Sequence, residues 1–113
     1  MSIYTDAQEI IHSALEACLP DQAVRRALEG KELGSGRVFL VALGKAAWQM
    51  ARCAAELLGP RLEQGVVVTK HGHSQGDIPR CQVFEGGHPV PDEGSFRGTR
   101  AAMELVQDLA PQD

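Results

Sequence analysis

The chain has 113 residues, a length that suits one domain with a single core. Hydrophobic residues make up 43% and charged residues 23%, the balance of a soluble globular protein. A net charge of −4 with no run of Lys or Arg argues against a nucleic-acid partner, and no apolar stretch reaches the roughly 18–20 residues that cross a bilayer.

The N-terminal stretch MSIYTDAQEIIH has no basic region followed by an apolar one, so it does not read as a secretory signal. Residues 5–18 read as a helix. Thr5 and Gln8 offer a capping box, and Ile3, Ala7, Ile10, Ile11, Ala14, Leu15 and Cys18 fall on one stripe. Pro20 and Asp21 open a short second helix, AVRRAL, that ends near Gly30, and GSG at 34–36 is a loop.

Residues 37–43 form the best strand. It is apolar on both faces, which suits a buried parallel strand better than an antiparallel edge. A helix over 45–58 follows, with Ala47, Met50, Ala51, Ala54, Leu57 and Leu58 on one face and Gly59-Pro60 as its stop. Trp48 packs against the core or against a neighbour outside this chain. A second strand, GVVVT at 65–69, leads into the polar loop KHGHSQGDIP and a third strand around Cys81-Gln82-Val83-Phe84. The two prolines of GGHPVPDEGS exclude that segment from a ladder. Asp92 is the expected N-cap of a last helix carrying Phe96, Ala102, Met103, Leu105 and Val106. This order predicts a parallel-sheet α/β/α layered, Rossmann-like domain.

In such folds ligands bind beyond the C-terminal ends of the strands, where the unusual residues gather. Gly44-Lys45 follows strand one, Lys70-His71-Gly72-His73 strand two, and Glu85-Gly86-Gly87-His88-Pro89 strand three. Neither GxxxxGK[ST] nor GxGxxG occurs. Lys45, on the first turn of its predicted helix, reads either as a solvated surface lysine or as a ligand for a carboxylate or phosphate, since the helix dipole disfavours a cation there. His71, His73, Cys81 and His88 lack the tight paired spacing of a structural zinc site, so no metal is expected and the loop histidines read as hydrogen-bond donors beside an anion. Pro89 holds His88 extended. Cys18, Cys53 and Cys81 form no CxxC pair and read as reduced thiols of a cytoplasmic protein rather than a disulfide framework.

LVALGKAAWQMA, GVVVTKHGH and FEGGHPVPDEGS, in that order, resemble the N-terminal domain of the bacterial glycerate 2-kinase family, whose members are also labelled hydroxypyruvate reductases. The resemblance covers residues 5–113. It implies transfer of the γ-phosphoryl group of ATP, with Mg2+, to the 2-hydroxyl of D-glycerate. It also implies a catalytic role for Lys45 and cleft-facing, substrate-binding roles for Gly44, Lys70, His71, His73 and His88. Family members are several times longer, with a Gly/Ser-rich loop for nucleotide phosphates and a downstream arginine that are absent here. The chain is therefore expected to be an N-terminal fragment of a larger two-domain enzyme, inactive alone. A fragment's uncovered apolar surface, led by Phe96, Met103 and Val106, predicts a homo-oligomer. The alternatives are a small-anion-binding α/β module without catalysis and a zinc-holding interaction domain.

Overall fold

Each apolar run becomes one element of a layered sheet. The computed structural model describes residues 2–113. Its elements are α1 (Ile3–Ala17), α2 (Pro20–Leu28), β1 (Val38–Leu43), α3 (Ala47–Leu58), β2 (Leu62–Lys70), β3 (Cys81–Gly86) and α4 (Glu93–Leu105). A 3-10 turn, Gly59–Arg61, joins α3 to β2. The strands form one parallel sheet in the order β1-β2-β3. Leu43 lies beside Val68 and Lys70 beside Gly86, so the three C-terminal strand ends share one edge of the sheet.

Strand side chains alternate between faces, and each face has its own cover. On one face Val67 packs with Ala47, Trp48 and Ala51 of α3, joined by Ile78 and the flanking Leu40, Ala42 and Val83. On the other, α4 lies over β2 and β3. There Gly98 lets the helix approach: a Cβ at that position would stand 2.5 Å from Val68 Cγ2 and 3.1 Å from Phe84 Cβ. The result is the expected α/β/α layering. A second small cluster, Val24 with Cys53 and Ala54 and the flanking Leu40, fixes α2 against α3.

The crossover from β2 to β3, residues 71–80, contains no helix. Parallel strands are usually joined through one. Here Ile78, 3% exposed, replaces a helix's apolar face, and the Trp48 Nε1–H donates to Gly76 O at 2.8 Å. Trp48 thus packs within the core of this chain.

Several expected boundaries move, each for a local reason. The Thr5–Gln8 capping box does not form, because Ser2 caps α1 one turn earlier and its hydroxyl accepts from Thr5 N–H at 3.2 Å. The apolar stripe of α1 has no cover, with no residue of the helix buried and Ile10 70% exposed. α2 begins at Pro20, which suits a first helical position. α3 begins at Ala47 rather than 45, since Gly44 has φ +119° and Ala46 is not helical. Lys45 therefore precedes the helix instead of lying in its first turn. Met50 points outward and is 41% exposed. β2 starts at Leu62, which is 2% exposed and pairs with Val38 across a register shift. β3 runs on to Gly86, and Val106 caps α4 rather than belonging to it. The three cysteines are free, with Cys53 buried and burial raising the pKa of the Cys81 thiol. Among the described residues no helix is long and apolar enough to cross a membrane.

Candidate functional site

Gly44 ends β1 with a backbone conformation that a side chain would strain, and this turns Lys45 out over the strand ends. The turn is pinned from β2. Gly44 N–H donates to Val68 O at 3.0 Å, and the Thr69 hydroxyl donates to Gly44 O at 3.0 Å and approaches Lys45 O at 3.4 Å. Thr69 is only 3% exposed as a whole residue. A buried hydroxyl needs a partner, and Thr69 finds it in the backbone that carries Lys45.

The loop after β2 closes on the same turn. His73 Nδ1 lies 3.0 Å from Lys45 O, an acceptor, so Nδ1 carries a proton and donates it to this bond, leaving Nε2 uncommitted. Glu85 of β3 shapes this loop from the other side. One of its carboxylate oxygens accepts Gly72 N–H at 2.7 Å and Ser74 N–H at 3.2 Å. His71 reaches the third loop, where its Nε2–H donates to Asp92 Oδ2 at 2.7 Å. The other carboxylate oxygen of Asp92 caps α4 by accepting Ser95 N–H at 3.3 Å, and the Ser95 hydroxyl returns a bond from Asp92 N–H. One side chain thus both starts α4 and ties two loops together.

Of the expected site residues, Gly44, Lys45, Lys70, His71 and His73 come together at this edge. Lys45 is exposed, Lys70 is half-buried, and neither forms an ion pair among the described residues. His88 lies exposed at a cis bond to Pro89 and is not drawn into the hydrogen-bonded group. No group of three or more His, Cys, Asp and Glu among the described residues is placed to hold a metal ion. His71 is taken by Asp92, His73 by Lys45 O, and Cys81 packs beside the core under α3. Thr69 was not foreseen, and Glu85, named among the residues after strand three, had no role assigned to it. Thr69 carried a faint signal, as the only polar residue in the run VVVT.

The hydrogen bond from His71, followed by those from Gly87 and Ser95 N–H, lowers the Asp92 pKa from 3.8 to about 2. A carboxylate depressed in the folded state stabilises the fold fully above its unfolded pKa. That contribution fades as pH falls through the folded value. Asp92→Asn keeps a good helix cap but loses the charge. In urea unfolding, the variant is expected to be less stable than wild type at pH 7, with the gap closing between pH 4 and about 2. A gap unchanged down to pH 2 would mean that the His71–Asp92 bond contributes nothing in solution.

Residues 6–113 match the domain family described as "Domain of unknown function (DUF4147)". The chain belongs to this DUF4147 family. The DUF4147 chain is 50% identical over 107 residues to the D-glycerate 2-kinase of Thermotoga maritima, an alignment that covers 95% of this chain and 25% of that protein. The glycerate 2-kinase of Pyrococcus horikoshii is 35% identical over 123 residues, covering 100% of this chain and 27% of its own. The crystal structure of a glycerate kinase from Thermotoga maritima superimposes with a TM-score of 0.85 at 50% identity, over 95% of this chain and 25% of that one. The chain thus spans about a quarter of the length of the curated relatives it matches.

Proposed function

We propose that this DUF4147 chain is the acceptor-facing N-terminal part of a phosphotransferase that moves the γ-phosphoryl group of ATP to the 2-hydroxyl of D-glycerate, and that it does not turn over alone. The observation that carries this reading is the pinned Gly44–Lys45 turn, with Lys70, His71 and His73 around it, in a chain 50% identical to a D-glycerate 2-kinase. Phosphoryl transfer asks little covalent chemistry of the protein and depends on positioning and charge stabilisation. Lys45 follows the end of β1 and Lys70 ends the neighbouring β2, and together they supply positive charge for a substrate carboxylate and the transferring phosphoryl oxygens. The uncommitted Nε2 of His73 is available to a polar group of the substrate, while Thr69 and Glu85 hold the backbone of the two loops still.

Magnesium fits these residues poorly. It is commonly held by one or two carboxylates together with substrate phosphates. Asp92 is engaged through both oxygens by His71 and Ser95, Glu85 gives one oxygen to Gly72 and Ser74 N–H, and no group of three or more His, Cys, Asp and Glu among the described residues is placed to hold a metal ion. No step is therefore drawn through the ion. ATP as donor and three free thiols suit a cytoplasmic setting. The exposed Phe96, Met103 and Val106 support self-association of the chain alone.

The test uses the chain alone and a hybrid in which residues 6–113 replace the matching part of the Thermotoga maritima D-glycerate 2-kinase. The chain alone is expected to form no ADP with D-glycerate and ATP, and the hybrid to form it in a glycerate-dependent way. A folded hybrid that binds D-glycerate but forms no ADP would leave the anion-binding module as the better reading. ADP formation by the chain alone would refute the division of labour.

A further inference from the structure

Near the C-terminal edge of the sheet, one rung crosses all three strands. Glu85 of β3 is paired with Thr69 of β2, and Gly44 follows Leu43, the partner of Val68. Strand side chains return to the same face at every second residue. Val67 and Val83 pack in the cluster under α3, so Thr69 and Glu85, two residues on, leave that same face. There they meet the Lys45 turn and the 71–80 crossover.

Lys45, Thr69, His73 and Glu85 close a ring of contacts. Lys45 O faces two donors, the Thr69 hydroxyl at 3.4 Å and the His73 Nδ1–H at 3.0 Å. Gly72 and Ser74, on either side of His73, both donate their N–H to Glu85 Oε2, at 2.7 and 3.2 Å. The ladder pair Glu85–Thr69 completes the ring. Its members are not equally secure. Thr69 is fixed by its own strand, whereas His73 is exposed on a crossover without a helix. Bonds to an ionised carboxylate are stronger than bonds to a neutral acceptor, so Glu85 is the firm hold on this stretch. The ends of the loop are tied elsewhere, by His71 to Asp92 and by Gly76 O to Trp48. Glu85 therefore governs residues 72–74 and not the fold around them.

We infer that Glu85 is a positioning residue for Lys45, acting on the rate of phosphoryl transfer through His73 without touching substrate. Its carboxylate seats residues 72–74, His73 then fixes the Lys45 carbonyl, and the root of the Lys45 side chain is set with it. The inference rests on the phosphotransferase reading and deepens it. The bonds also say what substitution does. Gln offers Gly72 and Ser74 an acceptor oxygen in the same place, so Glu85→Gln keeps the loop seated. Ala offers none, but Gly72 is exposed and Ser74 half-buried, so water can take both N–H groups and the fold is spared.

Steady-state kinetics of the hybrid described above tests it. Glu85→Ala is expected to lower kcat by about 10–100-fold with a smaller change in KM, since a misplacement near 1 Å can cost about 10² in rate. Its melting temperature should hardly move, and Glu85→Gln should recover most of the rate. Added to Lys45→Met, Glu85→Ala should cost less than about 3-fold more, because a residue that acts through Lys45 has nothing left to position. Full multiplication of the two losses overturns the inference. So do a wild-type kcat in Glu85→Ala, a loss confined to KM, and a Glu85→Gln variant as slow as Glu85→Ala. A folded wild-type hybrid that forms no ADP removes the proposed function and this inference with it, so the two failures are told apart. If the Glu85→Ala hybrid does not fold, the ring-nitrogen NMR shifts of His73 in the chain alone decide. There Glu85→Ala is expected to exchange the Nδ1-protonated neutral ring for a mixture of tautomers, and Glu85→Gln to preserve it. An unchanged His73 ring in Glu85→Ala overturns the inference.

Discussion

Replacing Lys45 by Met in the hybrid kinase is expected to lower turnover of D-glycerate by about 10²–10³ while leaving the melting temperature nearly unchanged. The two halves of that expectation have separate causes. The contacts that hold the turn are made by Lys45 backbone: its carbonyl accepts from His73 and lies near the Thr69 hydroxyl. Its side chain is exposed and in no ion pair among the described residues, so Met removes no structural bond. The position just ahead of α3 gives a cation no favourable interaction with the helix dipole either. What Met does remove is a positive charge that the pinned backbone supplies beside the strand ends, where on the proposed function phosphoryl and carboxylate oxygens gather. A charge that meets its partner only in the bound complex weighs on rate rather than on folding. Lys45→Arg retains charge but changes shape, and is expected to recover part of the rate. Near-normal turnover by Lys45→Met would make this residue an ordinary solvated lysine.

The sheet and the gathering of its loops at one edge were legible because they depend on local signals. Six consecutive apolar residues in β1, a β-branched run in β2 and glycines at the strand ends mark strands and turns wherever the rest of the chain lies. The α3 boundary was misjudged for an equally local reason. The alanines after Lys45 favour helix, but the conformation of Gly44 delays its start to Ala47. The links between loops were not legible. Asp92 could be read as a cap, yet its second oxygen finds His71, 21 residues earlier, only once β2 and β3 lie side by side. Glu85 stood among the residues that follow strand three, but its role was not legible until Gly72 and Ser74 N–H were brought to it. α1 shows a further limit, since a helical stripe reports that a helix can bury one face and not whether the chain provides the cover.

Trp48→Ala is expected to cost about 3–5 kcal/mol, the range for truncating a large buried aromatic residue, against a total of about 5–15 kcal/mol for a domain of this kind. Trp48 is 7% exposed and packs with Ala47, Ala51, Val67 and Ile78. The small alanines around it cannot close a cavity of indole size. Two further contacts go with the ring, the Nε1–H bond to Gly76 O at 2.8 Å and the Arg52 guanidinium 5.9 Å from its centre. The damage should spread along the chain, because residues 71–80 have no helix and depend on Ile78 and Trp48 for their place. That segment carries His71, Gly72 and His73, so loosening it should also free the Lys45 turn. Trp48→Phe separates these effects. It retains much of the apolar burial and loses the Gly76 bond, at about 1 kcal/mol for an ordinary hydrogen bond plus the smaller ring's packing deficit. Urea unfolding followed by circular dichroism checks both variants, since Trp48 is the only tryptophan and its emission is lost with it. A loss below about 1.5 kcal/mol for Trp48→Ala would show that the crossover is held by something other than this side chain.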